Sequence, residues 1–266
     1  MTELEKYKLL FDMIQMLISV IIGQYLKISS TLEIKDIIIR NYLSRCLTLL
    51  LSIYSLWERK SYEDAWILFR SLLDRLIYIE HLGKNDLWRD FNNISFKLQY
   101  EYQNKIRSDT DFPGKIDKKD YELTKSQRQR YSEIVKMEIN WNRPDPKAVL
   151  KRMGLDFLYE YGYYFGSGFV HPIASDGFFD FERIIGKPDI DSNGNPKFIL
   201  NNSIITGSLI IQESLNYSKF KWMALVYKAI EEMRSNAGVM DTNIFQSTRQ
   251  LIAYVKQNPD YKICSE

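Results

Sequence analysis

Helix-start signatures recur along this chain and leave little room for any other kind of structure. Thr2-x-x-Glu5, Ser30-x-x-Glu33 and Thr124-x-x-Gln127 match the capping box, in which two side chains satisfy orphan backbone N–H groups reciprocally. Ser61-x-x-Asp64 is a looser version, and Asp145-Pro146 sets an N-cap before a proline at the first helical position. These signals predict helices near 3–28, 31–58, 62–82, 85–108, 125–139, 146–171, 202–234 and 242–257. The short connections between them favour antiparallel neighbours. The expected fold is all-α: an antiparallel multi-helix bundle forming a single domain over 1–266.

Two stretches interrupt the pattern. Residues 109–124 carry Pro113, Gly114 and dense charge, which predicts an exposed loop. Residues 172–200 contain Ser175-Asp176-Gly177 and an Asn193-Gly194 turn signal, flanked by FERII and PKFIL. They predict a small irregular or β-hairpin insertion.

Composition narrows the function classes. A net charge of +2, from 36 basic and 34 acidic residues, excludes a chain built around non-specific attraction to phosphate. Cys46 and Cys264 are the only cysteines, one in an apolar run, so no disulfide framework is expected. Without a signal peptide, the expected compartment is a reducing cytoplasm. Two histidines and two cysteines are too few for a histidine- or thiolate-based zinc site, and no cofactor is expected. Leu9–Leu26 looks membrane-like but holds Asp12, Gln15 and Gln24, and the run from Cys46 to Trp57 is short. Both fall below the ~18 apolar residues of a span, so no membrane partner is expected.

The most distinctive chemistry lies in YEYGYYFGSGFVHP. Tyr159, Tyr163, Ser167 and His171 recur every fourth residue, and four residues of α-helix advance about 400°, so they form one shallow polar stripe. Gly162, Gly166 and Gly168 interrupt the segment, each costing a helix about 1 kcal/mol relative to alanine, so a packing reason is expected. The stripe is either a wet face packed on a neighbour or a site in which His171 lies one turn from Ser167. No G-x-S-x-G elbow accompanies Ser167, which argues against a serine nucleophile.

A second pair, Arg70 and Asp74, sits at i,i+4 on a helix otherwise lined by Trp66, Phe69, Leu72, Leu73, Leu76 and Ile77. Charges in such a setting must be paired. They are either a partly buried structural ion pair or a partner for the stripe, with Asp74 orienting His171 and Arg70 holding a phosphate or carboxylate. Arg75-x5-His81 falls within the loose R-x4-6-H pattern of HEPN ribonucleases, but on a helix the two diverge by roughly 240°. Asp189-x-Asp191-x-Asn193-Gly194 copies half an EF-hand loop, yet Leu200 stands where a bidentate Glu is needed. Lys115, Lys118, Lys119, Lys125, Arg128 and Arg130 form a basic cluster diluted by Asp117, Asp120 and Glu122, either a solvated face or a weak nucleic-acid edge.

The block Ala65-x4-Arg70-Ser71-x-x-Asp74, followed by Trp141 and then Tyr159, Tyr163, Ser167, His171 and Pro172, resembles a mostly microbial helical family of unknown function. The resemblance covers roughly residues 35–230. That family is similar in pattern to HEPN-like bundles, whose better-known members act as RNases in toxin–antitoxin and phage-defence systems. This sequence has Asp74 where the family more often has Glu.

Together these features predict that Arg70, Asp74, Tyr163, Ser167 and His171 converge in one polar pocket. In an HEPN-like enzyme of prokaryotic stress response or phage defence, acting on RNA or a nucleotide, His171 is general acid/base or phosphate contact. Arg70 is then the phosphate clamp, with Ser167 and Tyr163 positioning. The alternative is a non-catalytic module in which the same cluster is a structural network and the partner is a protein or a second copy. His171 at the floor of a solvent-reached cleft beside Arg70 favours the enzyme, and its full burial with every hydrogen bond internal excludes it.

Overall fold

The computed structural model describes residues 3–27, 32–108, 118–171, 177–186, 196–218 and 224–236, with Gln250 and Ala253. Among them every regular element is helical. Four long helices come first: α1 (Glu3–Lys27), α2 (Ile34–Glu58), α3 (Tyr62–Asn85) and α4 (Trp88–Ser108). A 3-10 turn (Lys118–Tyr121), α5 (Lys125–Ile134) and α6 (Pro146–Arg152) follow. Then come α7 (Asp156–Leu158), a π-helix (Tyr159–Tyr164), α8 (Phe165–Gly168), α9 (Phe178–Ile184), α10 (Pro196–Tyr217) and α11 (Ala224–Asn236).

Local chemistry accounts for several of the boundaries. The Thr124–Gln127 box is closed in both directions: Gln127 N–H donates to Thr124 Oγ1 at 3.2 Å, and Thr124 N–H donates to Gln127 Oε1 at 2.7 Å. Asp145 Oδ1 accepts from Lys147 N–H at 2.9 Å, with Pro146 at N1. At α2 the reciprocal contact comes three residues later than expected, with Glu33 N–H donating to Asp36 Oδ2 at 3.3 Å; Ser30 and Thr2 lie outside the described residues. Two corners are tight enough to force non-glycine residues into the left-handed region, Lys60 at φ 61° between α2 and α3 and Asp86 at φ 51° between α3 and α4.

Two expectations need correction. The predicted helix over 146–171 is broken after Arg152, because Gly154 adopts φ 70° and Leu155 N–H reaches back to the Leu150 carbonyl at 2.9 Å. That is the left-handed helix stop glycine is suited to. The arms proposed for a β-hairpin are helical instead: FERI ends α9, and PKFIL opens α10 with Pro196 at its first position. Proline is pre-organised for a helix start and removes a ladder donor from a strand, so the helix wins. The Asn193-Gly194 turn, and the helix near 242–257 apart from Gln250 and Ala253, lie outside the described residues. So do residues 109–117 of the expected loop, of which 118–121 are a 3-10 turn.

The chain divides into two compact units, one drawn from residues 1–81 and 144–266, the other from 82–143. In the first, α1, α2 and α10 pack on one another, and α11 packs on α10. Leu10, Ile14 and Ile18 of α1, Leu43, Cys46 and Leu50 of α2, and Ile204, Ile210 and Ile211 of α10 are completely buried. α1 is the amphipathic helix its sequence predicts, with Asp12 exposed and Tyr7, Phe11 and Leu17 inside. By length and composition α2 is the one described helix that could cross a membrane, and a third of its most apolar stretch is buried. Gly207 lets α10 approach closely: a Cβ there would meet Leu50 Cδ1 at 3.1 Å.

A buried carboxylate ties three elements of this unit together. Glu80 of α3 accepts from Tyr217 Oη at the end of α10 at 2.7 Å and pairs with Arg152 Nε at the end of α6 at 3.5 Å. In the second unit, α4 packs on α5 and the 3-10 turn through surface aromatics. Tyr100 stacks on Tyr131 at 4.0 Å, Phe91 meets Trp141 at 4.8 Å, and the Arg130 guanidinium lies 4.1 Å over Phe96.

Burial, and more weakly the nearby Glu80 charge, pushes the Glu213 carboxyl above its ordinary value, against a lowering contact from Asn216. A carboxyl raised on folding contributes stability below its unfolded pKa that is lost as pH rises through the folded value. Glu213→Gln should therefore gain stability on the wild type as pH rises from about 4.5 to 7. Urea denaturation of both proteins at the two pH values measures the gap; a constant gap refutes it.

Candidate functional site

The stripe-bearing segment lies directly on α3, and two of its three glycines make that possible. A Cβ at Gly162 would stand 2.8 Å from Phe69 Cε1 and 3.0 Å from Leu73 Cδ1. One at Gly166 would stand 3.0 Å from the Trp66 carbonyl oxygen and 3.1 Å from Arg70 Cβ. Aromatic edges seal the crossing on one side, with Trp66 against Phe165 at 4.9 Å and against Phe69 at 5.5 Å. A Cβ at Gly168 would meet nothing within 4 Å, so no packing contact among the described residues accounts for that glycine.

Arg70 emerges from this contact onto the stripe. Its Nε donates to Ser167 Oγ at 2.8 Å and its Nη2 donates to Tyr163 Oη at 3.0 Å. Nη1 stands 3.6 Å from Asp74 Oδ2, an ion pair whose side chains keep 20% and 22% of their surface in solvent. The guanidinium also lies 4.7 Å from the Tyr163 ring centroid. Tyr163 stacks on Tyr159 at 6.0 Å with an interplanar angle of 11°, and Lys147 Nζ sits 5.3 Å from the Tyr159 ring. The result is a row, Arg70–Tyr163–Tyr159–Lys147, with a cation at each end of a tyrosine pair.

The π-helix explains how a strict four-residue spacing stays straight. In an α-helix each step of four overshoots a full turn by about 40°, and a π turn, with about 4.4 residues, falls short by a similar amount. Tyr159–Tyr164 is π-helical and Phe165–Gly168 is α-helical, so the two errors offset and Tyr163 and Ser167 meet the same guanidinium.

Four of the five predicted residues are thus brought together, and the fifth is not. α8 ends at Gly168, so His171 has left the helix and is exposed, with no hydrogen bond or ion pair to another described residue. Ser167 is poorly placed for nucleophilic attack. Its hydroxyl donates to the Tyr163 carbonyl at 2.7 Å while accepting from Arg70, and no base contacts it among the described residues. What the arrangement offers is a fixed cation at a solvent-reached surface.

The other sequence candidates are dispersed. α3 continues through His81 to Asn85, so Arg75 and His81 stay on different faces; Arg75 instead donates to the Ser71 carbonyl at 2.6 Å and to Ser71 Oγ at 2.8 Å. Asp189–Gly194, Lys115 and Pro172 lie outside the described residues. Lys119, Lys125, Arg128 and Arg130 are exposed. Among the described residues no group of three or more His, Cys, Asp or Glu is placed to hold a metal ion. Sequence reasoning missed Lys147, whose Nζ also approaches Glu160 Oε1 at 3.9 Å, and the Glu80–Arg152–Tyr217 trio. Nothing in their spacing marks them: the partners of Glu80 come from distant parts of the chain, and Lys147 meets Tyr159 and Glu160 across the helix break at Gly154.

The glycine contacts rank three substitutions. Gly166→Ala should be the most destabilising, by about 1–3 kcal/mol, since it meets a backbone carbonyl and a Cβ that cannot swing away. Gly162→Ala should cost less because the Phe69 and Leu73 side chains can adjust. Gly168→Ala should be neutral or stabilising by up to about 1 kcal/mol. Chemical denaturation of the three variants gives the order; equal effects would disprove the close-contact account.

No curated protein and no solved structure matches the chain. A family model matches residues 36–186, which takes in both Arg70–Asp74 and Tyr159–His171 and stops short of α10, where the resemblance was expected to reach about residue 230. The chain belongs to this family of unknown function, DUF5677.

Proposed function

We propose that the Arg70 row is a phosphate-binding surface of an RNA- or nucleotide-handling helical protein, with the helices of the first unit forming an antiparallel bundle. The observation that carries this is the state of Arg70. Two of its donors are held by the neutral hydroxyls of Ser167 and Tyr163, so its charge is fixed in direction, while the ion pair with Asp74 is a loose 3.6 Å in a solvent-reached position. A phosphate can compete there for Nη1, and charge-assisted contacts to arginine are among the stronger ones. The stacked Tyr159–Tyr163 pair and Lys147 extend the same face, an arrangement suited to a base and a neighbouring phosphate.

In this proposal His171 is a ligand contact or general acid/base, exposed and uncommitted to any described protein group. The likeness in pattern to HEPN-like RNases supports a cytoplasmic role in prokaryotic stress response or phage defence, and it is support by analogy alone. One observation favours the alternative. Ser167 donates to the Tyr163 carbonyl, which is what a structural network fixing helix register would do, with function left to protein partners or a second copy.

The two make different demands on variants. Wild type, His171→Ala and Arg70→Gln are incubated with pooled RNA and nucleotides, with fluorescence anisotropy of a labelled RNA across a salt series and a thermal melt of each protein. Binding that weakens with salt, is lost in Arg70→Gln, and is accompanied by turnover lost in His171→Ala at unchanged melting temperature supports the proposal. Absence of binding and turnover in the wild type, with a large fall in melting temperature for Arg70→Gln, refutes it in favour of the structural network.

A further inference from the structure

The first unit holds a cavity of about 410 Å³ where the start of α7, the middle of α10 and the end of α11 meet. Its walls are mixed: Phe157 from α7, Ile205 from α10, and Tyr227 and Ile230 from α11 make the apolar half, and polar side chains from α10 and α11 make the rest. Phe157 and Tyr227 nonetheless leave 43% and 53% of their surface in solvent, an exposure that no described element relieves. The volume falls in the range of small-molecule sites, and the cavity opens to solvent on the side where its polar groups stand.

Two of these groups carry opposite charges. Arg234 and Glu231 both line the cavity, three residues apart on α11, so they are neighbours on one helix face. They are not paired with each other: Arg234 Nη1 donates to Gln212 Oε1 at 3.3 Å, and Gln212 Nε2 contacts Glu213 Oε1 at 3.5 Å. The amide holds the guanidinium from the α10 side, where the Glu213 carboxylate is also close enough to act on it. A simple anion at this mouth would meet Glu231, and a simple cation would meet Arg234. A ligand head carrying both charges meets each with its complement.

We propose that this cavity is a binding site for a free apolar amino acid, aromatic or branched. Its carboxylate pairs with Arg234, its ammonium with Glu231, and its side chain lies against Phe157, Tyr227, Ile205 and Ile230. The site is independent of the Arg70 row and of any activity there.

Isothermal titration of the full chain tests this with three probes: L-phenylalanine, N-acetyl-L-phenylalanine, which lacks the ammonium, and phenethylamine, which lacks the carboxylate. L-phenylalanine should bind saturably at one site, and each analogue should bind at least about tenfold more weakly. The charged variants should then relax opposite preferences, Glu231→Gln narrowing the gap to the N-acetyl compound and Arg234→Gln the gap to phenethylamine. Phe157→Ala, at an exposed position, should weaken L-phenylalanine by roughly tenfold without moving the melting temperature of the free protein. No saturable binding of L-phenylalanine, or equal affinity for all three probes, overturns the assignment. If a variant fails to fold, the analogue series on the wild type decides alone.

Discussion

Everything distinctive about this molecule depends on how closely the segment from Tyr159 to Gly168 can approach α3. Side chains at Gly162 and Gly166 would have to occupy space already held by the Phe69 ring, the Leu73 methyl, the Trp66 carbonyl and Arg70 Cβ. Removing two Cβ atoms lets the backbones approach until an arginine rooted on α3 can reach a serine hydroxyl and a tyrosine hydroxyl on the opposing segment. The cost is two helix-destabilising glycines, about 1 kcal/mol each. The return is contact area, with Trp66, Phe69 and Phe165 meeting edge to face along the seam.

Close approach alone would not align the stripe. Over successive turns a four-residue period drifts on a regular α-helix, and Tyr163 and Ser167 would splay around the guanidinium. The π-helical turn at Tyr159–Tyr164 corrects the drift locally, at the expense of poorer backbone geometry. Tyr159–Tyr163 stacking at 11° and the two hydrogen bonds to Arg70 reward the altered winding. The π turn and the cluster are therefore one feature. The correction has a short reach: α8 lasts only to Gly168, and His171 follows an ordinary loop path into solvent.

The same local winding explains which parts of the structure could be read in advance. Capping boxes are local, and Thr124–Gln127 and Asp145-Pro146 mark α5 and α6 where they stand. Arg70, Asp74, Tyr163 and Ser167 were legible because a charged pair on an apolar helix and a polar stripe rich in glycine each require a partner. The break at Gly154 was hidden by an apolar pattern that continues across it, although Lys151 and Arg152 before a glycine are helix-stop chemistry. FERII and PKFIL have strand-like composition, and only the proline at the head of the second argued for a helix. His171 was misplaced because the spacing argument assumed one unbroken helix through residue 171. Lys147 and the partners of Glu80 left no local trace at all.

α3 gathers these non-local contacts because of what it is made of. Phe69, Leu72, Leu73, Leu76 and Ile77 are completely buried, and such a surface packs nearly as well after sliding by a turn. Two polar stations forbid the slide. Arg70 is satisfied only by Tyr163, Ser167 and Asp74, and Glu80 only where Arg152 and Tyr217 arrive together. Ten residues of helix separate the stations by about 15 Å and about 80° of rotation, so they face different neighbours. Burial, then the Glu80 carboxylate, pushes the Tyr217 phenol well above its ordinary pKa and keeps it a donor. Neither station need add much net stability, since desolvating a charge offsets most of what pairing returns. Their contribution is to make one register far better than its alternatives. An arginine held in place for that reason is also a charge of fixed direction at the surface.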